Sequence, residues 1–104
     1  MSECIEITRD DKFFYIKVNG KPVSSLNYKV DGNTMHIISI FTMPSYRGRG
    51  FASRLMNEAI RYAKEINVQR LVVYCSFAKK WLEKHSEHTQ FFKEVEYRSD
   101  IKNE

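Results

Sequence analysis

The sequence predicts a mixed α/β (α+β) domain in which an antiparallel meander precedes a parallel β-α-β unit and a C-terminal helix. Three observations support this prediction. The N-terminal part alternates apolar and polar residues, a glycine-containing loop joins an apolar run to an amphipathic segment, and a second apolar run follows that segment. Residues 1–96 are expected to form a single domain, and residues 97–104 a polar tail.

Composition limits the classes of protein to consider. The chain has 104 residues, of which 42% are hydrophobic, so it can form one domain with one core. We expect a globular protein without a membrane span, because no apolar run approaches the length that crosses a bilayer. The net charge of +4 favours anionic partners. Nucleic acid is not the expected partner, since Lys and Arg are scattered along the chain.

Period-two patterning predicts the meander. Apolar residues alternate with polar ones in the segments 5–7, 14–18 and 26–30. The turn signals Asp10-Asp11, Asn19-Gly20 and Asp31-Gly32-Asn33 follow these segments in order. From Met35 to Met43 the apolar residues fall on both sides of the predicted strand, which is typical of a strand covered on both faces. Pro44 ends that strand because it cannot donate to a ladder.

The second half predicts a crossover unit. Apolar residues between Phe51 and Ile66 recur at helical spacing, with charged residues on the opposite face. The run from Leu71 to Cys75 then predicts a buried strand parallel to the one before the helix. Helical spacing returns at Phe77, Trp81 and Leu82, a stripe that is more typical of core packing than of a partner surface. Phe91-Phe92 indicates one more packed turn or short helix.

The loop at residues 46–52 (YRGRGFA) favours phosphate binding. Glycines let the backbone approach an anion closely, and the start of the following helix attracts negative charge. The loop does not match a P-loop, which ends in Gly-Lys-Ser/Thr, nor the dinucleotide fingerprint, whose glycine spacing differs. What remains is Arg-x-x-Gly-x-Ala at Arg47, Gly50 and Ala52, directly after the strand that ends at Pro44.

This motif resembles the acyl-CoA signature of the GNAT superfamily of N-acetyltransferases. The resemblance extends from about Phe14 to Phe91 and is most specific in two segments, residues 41–55 (FTMPSYRGRGFASRL) and residues 73–85 (VYCSFAKKWLEKH). Together they look like a short GNAT-like subfamily with a Cys-Ser-Phe-type segment after the second strand. The resemblance implies acetyl-CoA as co-substrate, an amine as acceptor, and transfer of an acetyl group between them.

The resemblance also implies which residues contact the coenzyme. The main-chain N–H groups of residues 48–52 (Gly48, Arg49, Gly50, Phe51 and Ala52) would hold the diphosphate, with Arg47 and Arg49 adding charge. In the family two parallel strands splay at this point, so that backbone groups of Phe41, Thr42 and Met43 would run beside the pantetheine arm. One of their N–H groups would polarise the thioester carbonyl.

Cys75 is the nucleophile candidate, because it is predicted at the C-terminal end of the second parallel strand. Three interpretations stay open: a thiolate that accepts the acetyl group, a residue that lines the pantetheine tunnel, and a buried structural cysteine. The chain departs from ordinary GNAT enzymes where a tyrosine often protonates the departing thiolate, because Leu82 stands in the corresponding place. A non-catalytic acyl-CoA-binding or interaction module is therefore the alternative.

The remaining titratable candidates are His36, His85 and His88. None matches the His-Thr pair that members of the short subfamily often carry before the glycine loop. His85 and His88 are expected on a solvated helix end, without a third ligand for a metal. Cys4 and Cys75 lie far apart in the sequence, which favours free thiols in a reducing compartment. We expect a cytoplasmic protein that uses no metal.

Overall fold

A computed structural model describes residues 2–98 of the protein. Its elements, in chain order, are β1 (Ile5–Arg9), β2 (Phe13–Val18), β3 (Lys21–Asp31), β4 (Thr34–Thr42), a 3-10 turn (Pro44–Tyr46), α1 (Phe51–Glu65), β5 (Arg70–Val73), α2 (Ser76–Lys84), α3 (Ser86–Thr89) and β6 (Glu94–Tyr97). No helix in this part of the chain is both long and apolar enough to cross a membrane.

One six-stranded sheet organises the fold, with its strands in the order β1-β2-β3-β4-β5-β6. The first four strands pair antiparallel, as the alternating pattern predicts. β4 then pairs parallel with β5 across α1, and β5 pairs parallel with β6 across α2 and α3. The predicted meander, β-α-β unit and C-terminal helix are confirmed. β6 was not predicted, because the four residues Glu94–Tyr97 carry only weak apolar alternation.

The helices cover one face of the sheet. α1 packs against β2, β3 and β4, α2 packs against α1 and β4, and α3 packs against α2. Side chains from this face and from the helices form the core, and the bulkiest of them, including Leu26, Met35, Ile37, Leu55 and Met56, are fully buried. The opposite face, which we call the open face, has no helical layer within residues 2–98. The fold is therefore two layers.

The prediction that β4 is covered on both faces is wrong. Burial alternates along its first half, with Met35 and Ile37 in the core, and Phe41 is 55% exposed. Ser39 pairs with Asn27 and Ile37 with Tyr28, so Ile38 is the extra residue of a β-bulge. The bulge shifts the alternation by one residue. Met35 and Ile37 lie in the core before it, whereas Ile40 packs against the core after it and Phe41 is exposed, so core residues of β4 fall at both odd and even positions.

The predicted polar tail begins inside the sheet. Tyr97 is the last residue of β6 and pairs with Val73, and the N–H of Arg98 donates to the Val73 carbonyl at 2.8 Å. The sheet therefore extends past residue 96, where the sequence places the end of the domain. The rest of the predicted tail, residues 99–104, lies outside the described residues.

Candidate functional site

The central strands β4 and β5 separate before β4 ends. Their pairing stops at Ile37 and Val73, and the last bond between them runs from the Tyr74 N–H to the Ile37 carbonyl at 2.9 Å. β4 continues to Thr42, but β5 ends at Val73 and the chain turns into α2 at Cys75. The edge of β4 beyond Ile37 therefore faces an opening between two parallel strands, which we call the split.

The backbone of β4 is oriented toward this split at every second residue. The Met43 N–H donates to the Val23 carbonyl at 2.9 Å, so Met43 faces β3. Backbone groups alternate in direction along a strand, and those of Ile40 and Thr42 consequently face the split. Arg47 confirms the direction at Thr42, since its Nε donates to the Thr42 carbonyl at 3.0 Å.

The glycine loop lies at the mouth of the split. Gly48 and Gly50 have φ values of +79° and +80°, a backbone conformation that disfavours other residues, and Gly50 is the N-cap of α1. No main-chain N–H from Gly48 to Ser53 donates a hydrogen bond within the described residues, and the first helical bond comes from Arg54 to the Gly50 carbonyl. A glycine cap supplies no side chain to these amides. They form a continuous run of unpaired donors at one bend.

These features line a single groove of about 450 Å³. Seven residues predicted to bind the coenzyme line it: Phe41, Thr42, Arg47, Gly48, Gly50, Phe51 and Ala52. Two predicted residues, Met43 and Arg49, do not. The groove also includes Ile40, Tyr46, Ser53 and Phe77, which the sequence analysis missed as site residues. Ile40, Tyr46 and Ser53 adjoin the predicted segment, so adjacency in the sequence would have found them.

Phe77 corrects one prediction about α2. Trp81 and Leu82 are buried as the helical stripe predicts, but Phe77 is 41% exposed and lines the groove. It lies in the first turn of α2, beyond the end of β5, where the sheet no longer offers a surface to cover it. The stripe therefore combines a core face with one residue of the site.

Arg49 is turned away from the groove by an acidic partner. Its guanidinium contacts both carboxylate oxygens of Glu3 and lies over the rings of Tyr46 and Phe51. The hydrogen bond from Arg49 holds the pKa of Glu3 below its usual value. Cys4, the next residue, exchanges hydrogen bonds with Asn19 at the β2–β3 turn. The N-terminal segment thus reaches the edge of the glycine loop and offsets one of its two positive charges.

Cys75 is placed outside the groove. It caps α2, is half buried, and lines a neighbouring depression of about 190 Å³ that also includes Lys79 and Tyr97. This depression lies beside β6, whereas the split lies on the other side of β5. The structure therefore does not bring Cys75 together with the coenzyme loop in one cavity.

The histidines fall into two groups. His85 and His88 stack with Trp81 at the end of α2 and in α3, and His85 Nδ1 lies 2.8 Å from the Trp81 carbonyl. His36 instead lies on β4, where its Nδ1 is 2.9 Å from the Tyr74 hydroxyl. Burial lowers the pKa of His36, and Lys29 and Arg98 lower it further. Among the described residues, no cluster of three His, Cys, Asp or Glu side chains could hold a metal ion.

Comparison with known proteins identifies the family. The family model for GCN5-related N-acetyl-transferases matches residues 13–91, and the chain belongs to this family. The chain is 38% identical over 63 residues to the uncharacterized N-acetyltransferase MJ1207 of Methanocaldococcus jannaschii, a match that covers 54% of this chain and 28% of that protein.

Solved structures agree with the fold. The ribosomal-protein-S18-alanine N-acetyltransferase from Escherichia coli superposes with a TM-score of 0.61 at 18% identity, over 74% of this chain and 54% of that one. The aminoglycoside acetyltransferase meta-AAC0020 from an uncultured soil metagenomic sample, in complex with sisomicin, gives 0.53 at 12% identity, over 79% and 59%. The aminoglycoside N-acetyltransferase AAC(6')-Iy in complex with CoA gives 0.53 at 17% identity, over 92% and 69%. This chain spans between 54% and 69% of these solved chains, while its match to the curated relative covers 28% of that protein, and the structural likeness shows the GNAT fold.

Proposed function

We propose that this protein binds acetyl-CoA in the groove and transfers the acetyl group to an amine. The observation that carries the proposal is the run of unpaired N–H groups from Gly48 to Ser53 at the mouth of the split. A diphosphate satisfies several such donors at once and is favoured by the positive end of α1. A Cβ built on Gly48 or Gly50 would meet no atom within 4 Å, so the space above both glycines is open to a ligand.

The split would hold the pantetheine arm. Its amide groups need donors and acceptors, and the edge of β4 offers the backbone of Ile40 and Thr42, which has no β5 partner beyond Ile37. An N–H on this edge would also donate to the thioester oxygen as negative charge develops there during acyl transfer. The N–H of Met43, one of the residues expected from the sequence, is already bonded to Val23, so it takes no part in this proposal.

Calorimetry with acetyl-CoA tests the proposed site. The Gly50→Glu variant places a carboxylate against the unpaired amides, and we expect its affinity to fall about 100-fold or more. Gly32→Glu is the matched control, because Gly32 also has positive φ and open space but lies in the β3–β4 turn at the other end of β4. Both variants carry similar backbone strain and the same charge. Equal affinity of Gly50→Glu and Gly32→Glu for acetyl-CoA would remove the loop from the site.

The role of Cys75 is a separate question. We propose direct attack by the amine on the thioester, because Cys75 lines a different depression from the glycine loop. The other route is an acetyl-cysteine intermediate. Intact-mass analysis after incubation with acetyl-CoA separates them, with Cys75→Ala and Cys4→Ala as the pair of thiol variants. An acetyl adduct that Cys75→Ala loses and Cys4→Ala keeps would contradict direct attack.

Binding without turnover is the second candidate function. The observation that favours it is Leu82, which is fully buried and apolar where the family resemblance expects the tyrosine acid. Release of CoA in the presence of a panel of primary amines distinguishes the two functions, since a binding module gives calorimetric affinity without release. That the acceptor is an amine is part of this proposal. A cytoplasmic location is part of it as well, and the two free thiols, Cys4 and Cys75, support that location.

A further inference from the structure

A hollow on the open face adjoins the split from the side opposite the helices. It has a volume of about 320 Å³ and is lined by Lys29, His36, Ile38 and Tyr74. Ile38 is the bulge residue of β4, and Ile40, which lines the coenzyme groove, comes two residues later, about 7 Å along the strand. Tyr74 follows the last residue of β5 that pairs with β4. The hollow and the groove are therefore lined by neighbouring residues of β4, close to the point where the two strands separate.

Within the hollow, a side chain from β4 is hydrogen-bonded to one that follows β5. His36 Nδ1 lies 2.9 Å from the Tyr74 hydroxyl, and the two rings stack with centroids 5.8 Å apart. Arg98 Nη1 also reaches the Tyr74 oxygen, at 3.4 Å. A guanidinium only donates, so the oxygen accepts from Arg98. Toward His36 Nδ1 the hydroxyl either accepts an N–H or donates its own O–H, according to the tautomer of the ring. The other ring nitrogen of His36, Nε2, has no hydrogen-bond partner within residues 2–98.

We propose that the hollow receives the acceptor amine and that His36 Nε2 takes its proton. This inference rests on the function proposed above. Tyr74 acts as a positioning residue, because it accepts the Nδ1–H and so leaves the lone pair on Nε2. The amine nitrogen bonds to the thioester carbon, the C–S bond breaks with its electron pair on the CoA sulfur, and the amine proton moves to Nε2. His36 then loses this proton to solvent, and the CoA thiolate takes one from solvent.

The charges around His36 suit a base at neutral pH. Lys29 on β3, Arg70 on β5 and Arg98 after β6 disfavour the imidazolium, while Asp31 on β3 favours it. Glu96 on β6 also faces this region, but its carboxylate is bound by Arg70 and Arg98. Burial acts in the same direction as the cations, so His36 stays neutral and able to accept a proton where an exposed histidine begins to charge.

Nitrogen-15 NMR of the full chain tests this assignment without knowledge of the acceptor. The three imidazoles are followed through a pH titration, and the His36→Gln variant identifies the His36 signals. We expect a neutral ring at pH 7 with its proton on Nδ1, and in Tyr74→Phe a mixture of both tautomers. A His36 ring that carries its proton on Nε2, or one that is charged at neutral pH, would overturn the proposal. This readout is independent of acetyl-CoA binding, so the proposed function can fail separately.

Kinetics supply the second arm, with the best acceptor from a panel of primary amines as the probe. His36→Gln is expected to lower kcat/KM for the amine about 100-fold and to remove the acidic limb of its pH profile. Its calorimetric affinity for acetyl-CoA should stay unchanged. His88→Gln removes a histidine from α3 and should keep both rate and profile. A His36→Gln variant with the rate and pH profile of the unaltered protein would contradict the assignment.

Discussion

The two faces of the sheet differ in burial and in the chemistry of their side chains. The face under α1 and α2 is continuous and apolar, and its side chains are almost completely buried. The open face carries His36, Tyr74 and a network of ion pairs in which Glu96 contacts both Arg70 and Arg98. β4 contributes to both faces through alternate residues. Stability and chemistry are thus separated by the direction of side chains on shared strands, and they meet only at the split.

This separation predicts which substitutions should lower stability and which should change binding or catalysis. A side chain on the covered face is surrounded by the core, so its loss leaves a cavity that the packed layers cannot close. A solvent-exposed side chain on the open face or at the rim of the groove has no packed layer above it, and its loss changes binding or proton transfer more than folding. Four experiments test this distinction.

Substitutions of Leu55 and Phe41 compare the contributions of the two faces to the free energy of unfolding. Leu55 on α1 is fully buried, whereas Phe41 on β4 is 55% exposed. Leu55→Ala should lower the free energy of unfolding by about 3 kcal/mol, and Phe41→Ala by less than about 0.5 kcal/mol. Urea titrations followed by circular dichroism measure both values. Similar losses in the two variants would show that the open face is also covered in solution.

The two arginines of the loop, Arg47 and Arg49, should contribute differently to acetyl-CoA binding. Arg47 lines the groove and is fixed by its bond to the Thr42 carbonyl, but Arg49 is bound by Glu3. Arg47→Ala should weaken acetyl-CoA binding about tenfold, which corresponds to about 1.4 kcal/mol. Arg49→Ala should change it by less than about twofold, because Glu3 already offsets that charge. Calorimetry gives both affinities, and the reverse order would show that Arg49 leaves Glu3 for the phosphates.

Substitution of Glu3 should raise the affinity for acetyl-CoA instead of lowering it. Glu3→Gln removes a carboxylate next to the loop and frees Arg49, so acetyl-CoA should bind about threefold more tightly at low ionic strength. Glu94→Gln is the control, because Glu94 pairs with Arg70 at the start of β6, away from the loop. The gain should disappear in high salt. A gain of the same size in Glu94→Gln would indicate a general effect of net charge.

His36 gives the smallest effect, through the pH dependence of stability. Burial and nearby cations lower its pKa in the folded protein, so the unfolded chain takes up this proton first as pH falls below about 6.5. The stability associated with His36 is therefore complete above that pH and declines below it. His36→Gln should lose less unfolding free energy between about pH 7 and about pH 5 than the unaltered chain does. Parallel or steeper dependence in His36→Gln would contradict a lowered pKa.

Local patterns in the sequence were sufficient for most of the fold. Alternation predicted the meander, helical spacing predicted α1 and α2, and the loop at residues 46–52 was placed correctly between strand and helix. The same patterns failed where one residue changes the register. The bulge at Ile38 produces an apolar pair that looks like a strand covered on both faces, and β6 is too short for alternation to be recognised.

The residues of the candidate site were predictable only where they are neighbours in the chain. Residues 47–52 form one bend, so glycine and arginine spacing identified it. His36 and Tyr74 lie 38 positions apart, and Glu3 and Arg49 lie 46 apart. No periodicity links such pairs. Likewise, the sequence placed Cys75 near the end of β5, but it could not show that the thiol lines the depression beside β6 instead of the groove.

The order of the elements from β1 to α2 and the position of the glycine loop followed from the sequence alone, because hydrophobic period and backbone freedom act over a few residues. Which side chains share a cavity followed from the folded structure and not from these local patterns. That outcome depends on the pairing register of β4 with β3 and β5 and on the side of the sheet that the helices cover. A register fixes the facing of every residue in a strand at once, through contacts between segments that are distant in the chain.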